Sequence, residues 1–352
     1  MRLRHTLLLG LSAGLLLTAC QKQLVGVDPV NAPETNFDLL WTEFDQWYAL
    51  FGVRRVDWDS TYAVYRPLVK PTTTEEELWQ ITTRMLGTLR DSHVTLFNAD
   101  TTREFNAGNF SGQLPDNIDL NLIRQTYLKK GAKTAGEGEF TYGWLSDEIG
   151  YIYVKSFART SDPLSGAGGW ANDIDAILTE FQPARGVVID VRNYEGGTDY
   201  NAQRIANAFA DRKRLFMTVR TRNGPRHSDF DQPSAWYLEP NPAITFTRPI
   251  VVLTHRQTIS AGDVFTLAMK TLPHATQIGD TTNGVFSNVS FERQLPNGWT
   301  YSLSHQLYLD PVGRSYEGVG IPPAIVVKNT KAEIGAGTDR ALERAIAHLK
   351  AK

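Results

Sequence analysis

The chain has 352 residues, 41% hydrophobic, 11% aromatic and 21% charged, which excludes a disordered or fibrous protein. Its 36 basic residues nearly balance 38 acidic ones, so it lacks the electrostatic footprint of a nucleic-acid binder. One cysteine, Cys20, excludes intrachain disulfides, zinc–thiolate centres and iron–sulfur clusters.

The N-terminus reads as an export signal. Arg2, Arg4 and His5 precede an apolar stretch from Leu7 to Leu17, which is too short to span a membrane. It ends in Leu17-Thr18-Ala19-Cys20, which resembles the lipobox of bacterial lipoproteins. The resemblance implies that residues 1–19 are removed and that Cys20 is acylated on sulfur as the mature N-terminus. That would anchor the protein to a membrane of the bacterial cell envelope, and Gln21 suits delivery to the outer membrane. The alternative is a plain secretory signal with an incidental cysteine. Residues 20–36, with Pro29 and Pro33 and no sustained period, read as a tether.

A small helical domain is expected over residues 37–97. Phe37, Leu40, Trp41, Phe44, Trp47 and Tyr48 recur at helical spacing, with Asn36 as the expected N-cap. Asp57 and Asp59 can cap a second helix through Leu68, which Pro71 would stop. Glu75, Glu76 and Glu77 form an acidic first turn before the apolar stripe Leu78, Ile81, Met85, Leu86 and Leu89. These aromatic and apolar side chains read as packing.

Residues 98–147 read as an irregular β connection, with one weak strand pattern at Ile118, Leu120 and Leu122. From 148 to 328 the pattern becomes α/β. Strands are expected at 150–154, 186–191 and 250–254, and helices near 170–181, 202–209 and 261–272. Residues 329–352 close the chain with a helix.

Metal chemistry finds no support, because the seven histidines are dispersed and no His-Glu-x-x-His helix occurs. Neither a phosphate loop nor a Gly-x-Ser-x-Gly elbow is present. What stands out is Ser260, which follows a buried strand and opens a helix in Thr258-Ile259-Ser260-Ala261-Gly262-Asp263. A serine placed there is either an N-cap or a nucleophile facing helix-end amides. Gly196 and Gly197 follow the strand ending at Val191, as a plain turn or as backbone that approaches a reacting carbonyl. Ser92-His93 ends the third helix as a cap or as a base with a hydroxyl neighbour, and Glu317 sits on a glycine-rich loop as a solvated acid or a partner.

In this order the pieces resemble the tail-specific (C-terminal processing) serine peptidases, most closely their tricorn-like branch. The matching segments are Leu89 to His93, Gly150 to Ile152, Val188 to Asn193 with Gly196-Gly197, Thr258 to Asp263, Ile278 to Thr282, Leu295 to Gly298 and Glu317 to Pro322. The resemblance implies an α/β crotonase-like (ClpP/crotonase) core, peptide-bond hydrolysis without a cofactor, and a peptide or protein substrate. By matching position it makes Ser260 the nucleophile, His93 the general base, and Ser92 and Glu317 the supporting network. Ala261 with Gly196 or Gly197 would supply the oxyanion amides. The lysine of the family's Ser–Lys members falls at Val285, so only the histidine version fits, and residues 98–147 carry no convincing PDZ module. A catalytically silent peptide- or cell-wall-binding lipoprotein of the same fold, or an esterase using the same serine, are the competing readings.

Overall fold

The computed structural model describes residues 29–108, 118–158, 169–192, 196–290 and 293–352. Cys20, the leader and Asn193 to Glu195 lie outside them. Helix α1 (Pro33–Trp47) starts earlier than expected, because Pro33 sits in its first turn with φ already helical. Asn36 is therefore no cap. Its amide donates to Asn31 and the Ala32 carbonyl, each at 2.9 Å, and its oxygen accepts from the Asn297 amide.

A four-residue helix α2 (Phe51–Arg54) follows, then α3 (Trp58–Tyr65), capped by Asp57 through the Ser60 amide at 3.0 Å. Pro67 removes a donor, so α3 yields to a 3-10 turn over 66–68 before Pro71 is reached. Helix α4 (Glu75–Gly87) opens with a Thr74–Glu77 capping box and buries Leu78, Ile81, Met85 and Leu86.

The helical domain is completed from far along the chain. Strand 95–97 pairs with 104–106 on one side and with 300–302 on the other, which also pairs with 293–294. Leu295, Trp299, Tyr301 and Leu303 join Phe37, Phe44, Trp58 and Met85 in one core, and Trp299 meets Trp79 edge-on at 5.2 Å. Residues 293–303, expected within the α/β core, thus pack with the N-terminal helices.

The central sheet has seven strands: β1 (Lys133–Ala135), β2 (Phe140–Trp144), β3 (Ile149–Val154), β4 (Gly186–Asp190), β5 (Ile250–Thr254), β6 (Ala275–Gly279) and β7 (Ile325–Val326). Their spatial order is β7-β6-β5-β4-β3-β2-β1. Neighbours from β3 to β7 run parallel, while β1 and β2 add an antiparallel edge from the segment read as a connection. The weak strand expected at 118–122 is instead a turn of helix at Leu120–Leu122, which Asp119 caps through the Asn121 and Leu122 amides.

Alternate side chains of the buried strands enter different cores. Ile152, Val187, Ile189 and Val252 face α5 (Ile174–Glu180), α6 (Asp199–Asn207) and α7 (Ala261–Lys270). Tyr151, Val188, Val251 and Leu253 face the terminal helix α8 (Arg340–Lys350). Among the described residues, no helix is long and apolar enough to cross a membrane.

One buried ion cluster ties the sheet to the C-terminal segment. Arg192, just past β4, donates to Asp190 at 2.7 and 2.9 Å and to Asp339 at 2.8 and 2.9 Å. Although burial opposes ionisation, Arg192 holds Asp339 below its usual carboxyl range. Arg192→Ala leaves two carboxylates buried without their cation, and a destabilisation of about 3–5 kcal/mol is expected in urea unfolding. A loss below about 1 kcal/mol would show that the cluster contributes little.

Candidate active site

The site forms where the ends of two adjacent parallel strands, β4 and β5, release their loops toward the same side. Thr258 fastens one loop to the other, its hydroxyl donating to the Val191 carbonyl at 2.7 Å. Two residues later Ser260 takes φ 53° and ψ −120°, a backbone state that a side chain adopts only at a cost of about 1–3 kcal/mol. It occupies the N-cap position of α7, yet its side chain makes no capping bond. The hydroxyl is not spent on the helix.

Gly196 and Gly197 hold φ of 84° and 143°, values that favour glycine. A Cβ at Gly196 would stand 3.6 Å from the Ser260 Cβ, and one at Gly197 would lie 2.1 Å from the Phe157 carbonyl carbon. Glycine is therefore required for this loop to run between Phe157 and the serine. Among the described residues, no backbone carbonyl accepts from the amides of Gly196, Gly197 or Ala261. These are the donors an oxyanion would need.

His93 reaches the site from the helical domain. After α4, Arg90 takes φ 54° and turns the chain. Asp91 then accepts from the His93 amide at 2.8 Å and from the Tyr48 hydroxyl at 3.0 Å. The Ser302 hydroxyl donates to the His93 carbonyl at 2.8 Å, so both sides of the residue are held. Burial pushes the imidazole pKa down; Asp91 opposes that shift and Arg54 adds to it. The ring is therefore neutral and able to accept a proton at neutral pH. Its Nδ1 is buried and has no hydrogen-bond partner among the described residues.

Ser92, His93, Gly197 and Ser260 line one cleft of about 1050 Å³. Trp236, Gln306 and Tyr308, from a small sheet formed by strands 214–221, 234–238 and 306–309, also line it. Glu317 does not join them directly. One of its oxygens pairs with Arg54 and the other accepts from the Phe286 amide, leaving no bond to His93 or Ser92. Burial, then the charge of Asp91, pushes the Glu317 carboxyl above its usual range against the pull of Arg54. Glu317, expected in the supporting network of His93, forms a buried pair with Arg54.

No sequence signal marks Arg54, Tyr48, Asp91 or Asp263 as neighbours of the site. Arg54 sits in the short helix α2, where no periodic signal existed. Asp91 is visible inside Arg90-Asp91-Ser92-His93, and an aspartate two residues before His93 reads as a turn former. Asp263 lies in the first turn of α7, where burial raises its carboxyl to about 7 and one oxygen accepts from the Gly284 amide at 3.0 Å. Val285, at the lysine position of other family members, is buried. Among the described residues, no cluster of three acidic, histidine or cysteine side chains could hold a metal ion.

The model of peptidase family S41 matches residues 148–327, half of the 352-residue chain. The chain belongs to this family, the tail-specific serine peptidases. The model of the tricorn protease C1 domain matches residues 29–87, the helical segment that carries Arg54. A solved structure of a peptidase candidate from Parabacteroides merdae is 33% identical, with TM-score 0.79, covering 91% of this chain and 97% of that one. The tricorn protease of Thermoplasma volcanium is 26% identical over 221 residues, 62% of this chain and 19% of that protein. The carboxy-terminal processing protease CtpA of Bacillus subtilis is 27% identical over 210 residues, 59% of this chain and 40% of that protein. The S41 chain described here therefore spans well under two thirds of these curated relatives.

Proposed function

We propose that this S41 member is a lipid-anchored serine peptidase of the bacterial cell envelope, with Ser260 as nucleophile and His93 as general base. The observation that carries the reading is Ser260 itself: a strained, uncapped serine at a helix N-terminus, in one cleft with His93. Its Oγ attacks the scissile carbonyl carbon while His93 takes the hydroxyl proton. The oxygen that becomes anionic is received by the amides of Ala261 and of Gly196 or Gly197. Collapse breaks the C–N bond, and His93 returns the proton to the leaving amine. Water then hydrolyses the acyl-enzyme, again with His93 as base.

Asp91 fixes the backbone of the base, and Ser92 places a hydroxyl beside it in the cleft. Glu317 acts from behind, through Arg54, which faces Asp91 and His93 electrostatically. The test is fluorophosphonate labelling of the protein lacking residues 1–20, with the adduct located by mass spectrometry. An adduct on Ser260 supports the reading; none, or one elsewhere, rejects it.

The envelope location rests on the lipobox-like Leu17-Thr18-Ala19-Cys20. Cys20→Ser is expected to move the protein from the membrane to the soluble envelope fraction, with Gln21 directing the acylated form to the outer membrane. Unchanged membrane association, or an unlipidated mature N-terminal peptide, would reject the anchor.

A further inference from the structure

Asp199 opens α6 two residues after Gly197, and its side chain lines the same cleft as Ser260 and His93. Of the described residues lining that cleft, none is lysine or arginine and Asp199 is the only carboxylate. One oxygen accepts from the Tyr308 hydroxyl at 2.6 Å, the sole hydrogen bond made by this side chain among the described residues. The residue is half-buried, and desolvation raises its carboxyl to about 6. Such a group gains when a cation reaches it.

The surroundings favour that kind of visitor. Tyr200 and Trp236 line the cleft beside Asp199, with ring centroids 5.0 Å apart. Tyr200 is 71% exposed, which leaves an aromatic face in water next to the carboxylate. Aromatic faces attract ammonium and guanidinium groups through the ring quadrupole. The carboxylate's position in the first turn of α6 also suits the helix dipole, but that role requires no aromatic neighbours and no place in the cleft.

We infer that Asp199 is a specificity-determining residue that receives a cationic group of the peptide substrate, flanked by Tyr200 and Trp236. The inference rests on the serine-peptidase reading of the cleft. It makes the preferred substrates peptides with lysine or arginine close to the scissile bond, or with a free α-ammonium in that place.

The experiment uses positional libraries of quenched peptides, N-acetylated or unblocked, that differ only by lysine, arginine, norleucine or glutamate at one site. At one position lysine or arginine should exceed norleucine by about 10-fold or more in kcat/KM. Asp199→Asn keeps the acceptor for Tyr308 but removes the charge, and should lower the lysine-to-norleucine ratio about 10- to 100-fold. A preference confined to unblocked peptides identifies the α-ammonium as the cation and supports the same role. No basic preference in the parent protein, or an unchanged ratio in Asp199→Asn, overturns the inference. Should the variant not fold, n-butylammonium must inhibit the parent competitively and more strongly than n-butanol; equal or absent inhibition overturns it. Fluorophosphonate labelling of Ser260 in the same preparations is independent of substrate charge. Failure of labelling therefore rejects the peptidase reading, whereas labelling without charge preference rejects only the role of Asp199.

Discussion

Ser260→Ala should abolish fluorophosphonate labelling and lower peptide turnover by about 10⁶-fold, the scale seen when a triad nucleophile is removed. The residual rate would come from the amides of Ala261, Gly196 and Gly197, which the substitution leaves in place. Folding should survive, because the serine side chain makes no capping bond to α7. Alanine carries the same φ 53° strain that serine already bears, so stability should change little while turnover falls. Circular dichroism and urea unfolding separate the two effects. An adduct that persists in the variant, or activity within about 10-fold of the parent, would remove Ser260 from the mechanism.

His93→Ala should lower kcat/KM by about 10²- to 10⁴-fold, the usual general-base contribution. The pH profile gives a second readout. The imidazole works as a base only when neutral, and its pKa is held below the ordinary value of about 6.5. Activity should therefore rise with pH through an acidic limb whose midpoint lies below about 6.5, and the variant should lose that limb. Stability follows the same sign. Because the folded pKa is depressed, the unfolded chain binds the proton first. Stability is then full above about 6.5 and declines as pH falls toward the folded value, a decline the alanine variant should lack at this site. The rival base would be a lysine. Lys155 and Lys270 are both exposed, and no lysine is among the described residues of the cleft. Near-parental turnover of His93→Ala, or loss of activity on Lys155→Ala alone, would still overturn the histidine assignment.

His93 and Ser260 come from different parts of the fold, so the proposed chemistry requires the helical domain to dock on the sheet. His93 is held by Asp91 and by Ser302, a residue of the strand that the second half of the chain contributes to the N-terminal sheet. Arg54 crosses the same boundary to meet Glu317. A loosened interface would therefore misplace His93 before it unfolded either core.

Elements whose signals are local are legible in the chain without its fold. The acidic turn at Glu75 to Glu77, the stripe from Leu78 to Leu86 and the buried runs near 150–154, 186–190 and 250–254 appear close to their expected bounds, because period and local charge depend on near neighbours. Ser260 could be singled out for the same reason, since a strand–serine–helix order is written in consecutive residues. What the tertiary structure decided is everything that depends on residues distant in sequence. Only the folded chain shows that 293–303 completes the helical domain, or that Glu317 pairs with Arg54. Likewise, only the folded chain shows that Ser260 makes no capping bond to α7. Its positive φ and uncapped side chain stand in a loop that Thr258 ties to the Val191 carbonyl, and contacts of that kind leave no period in the sequence.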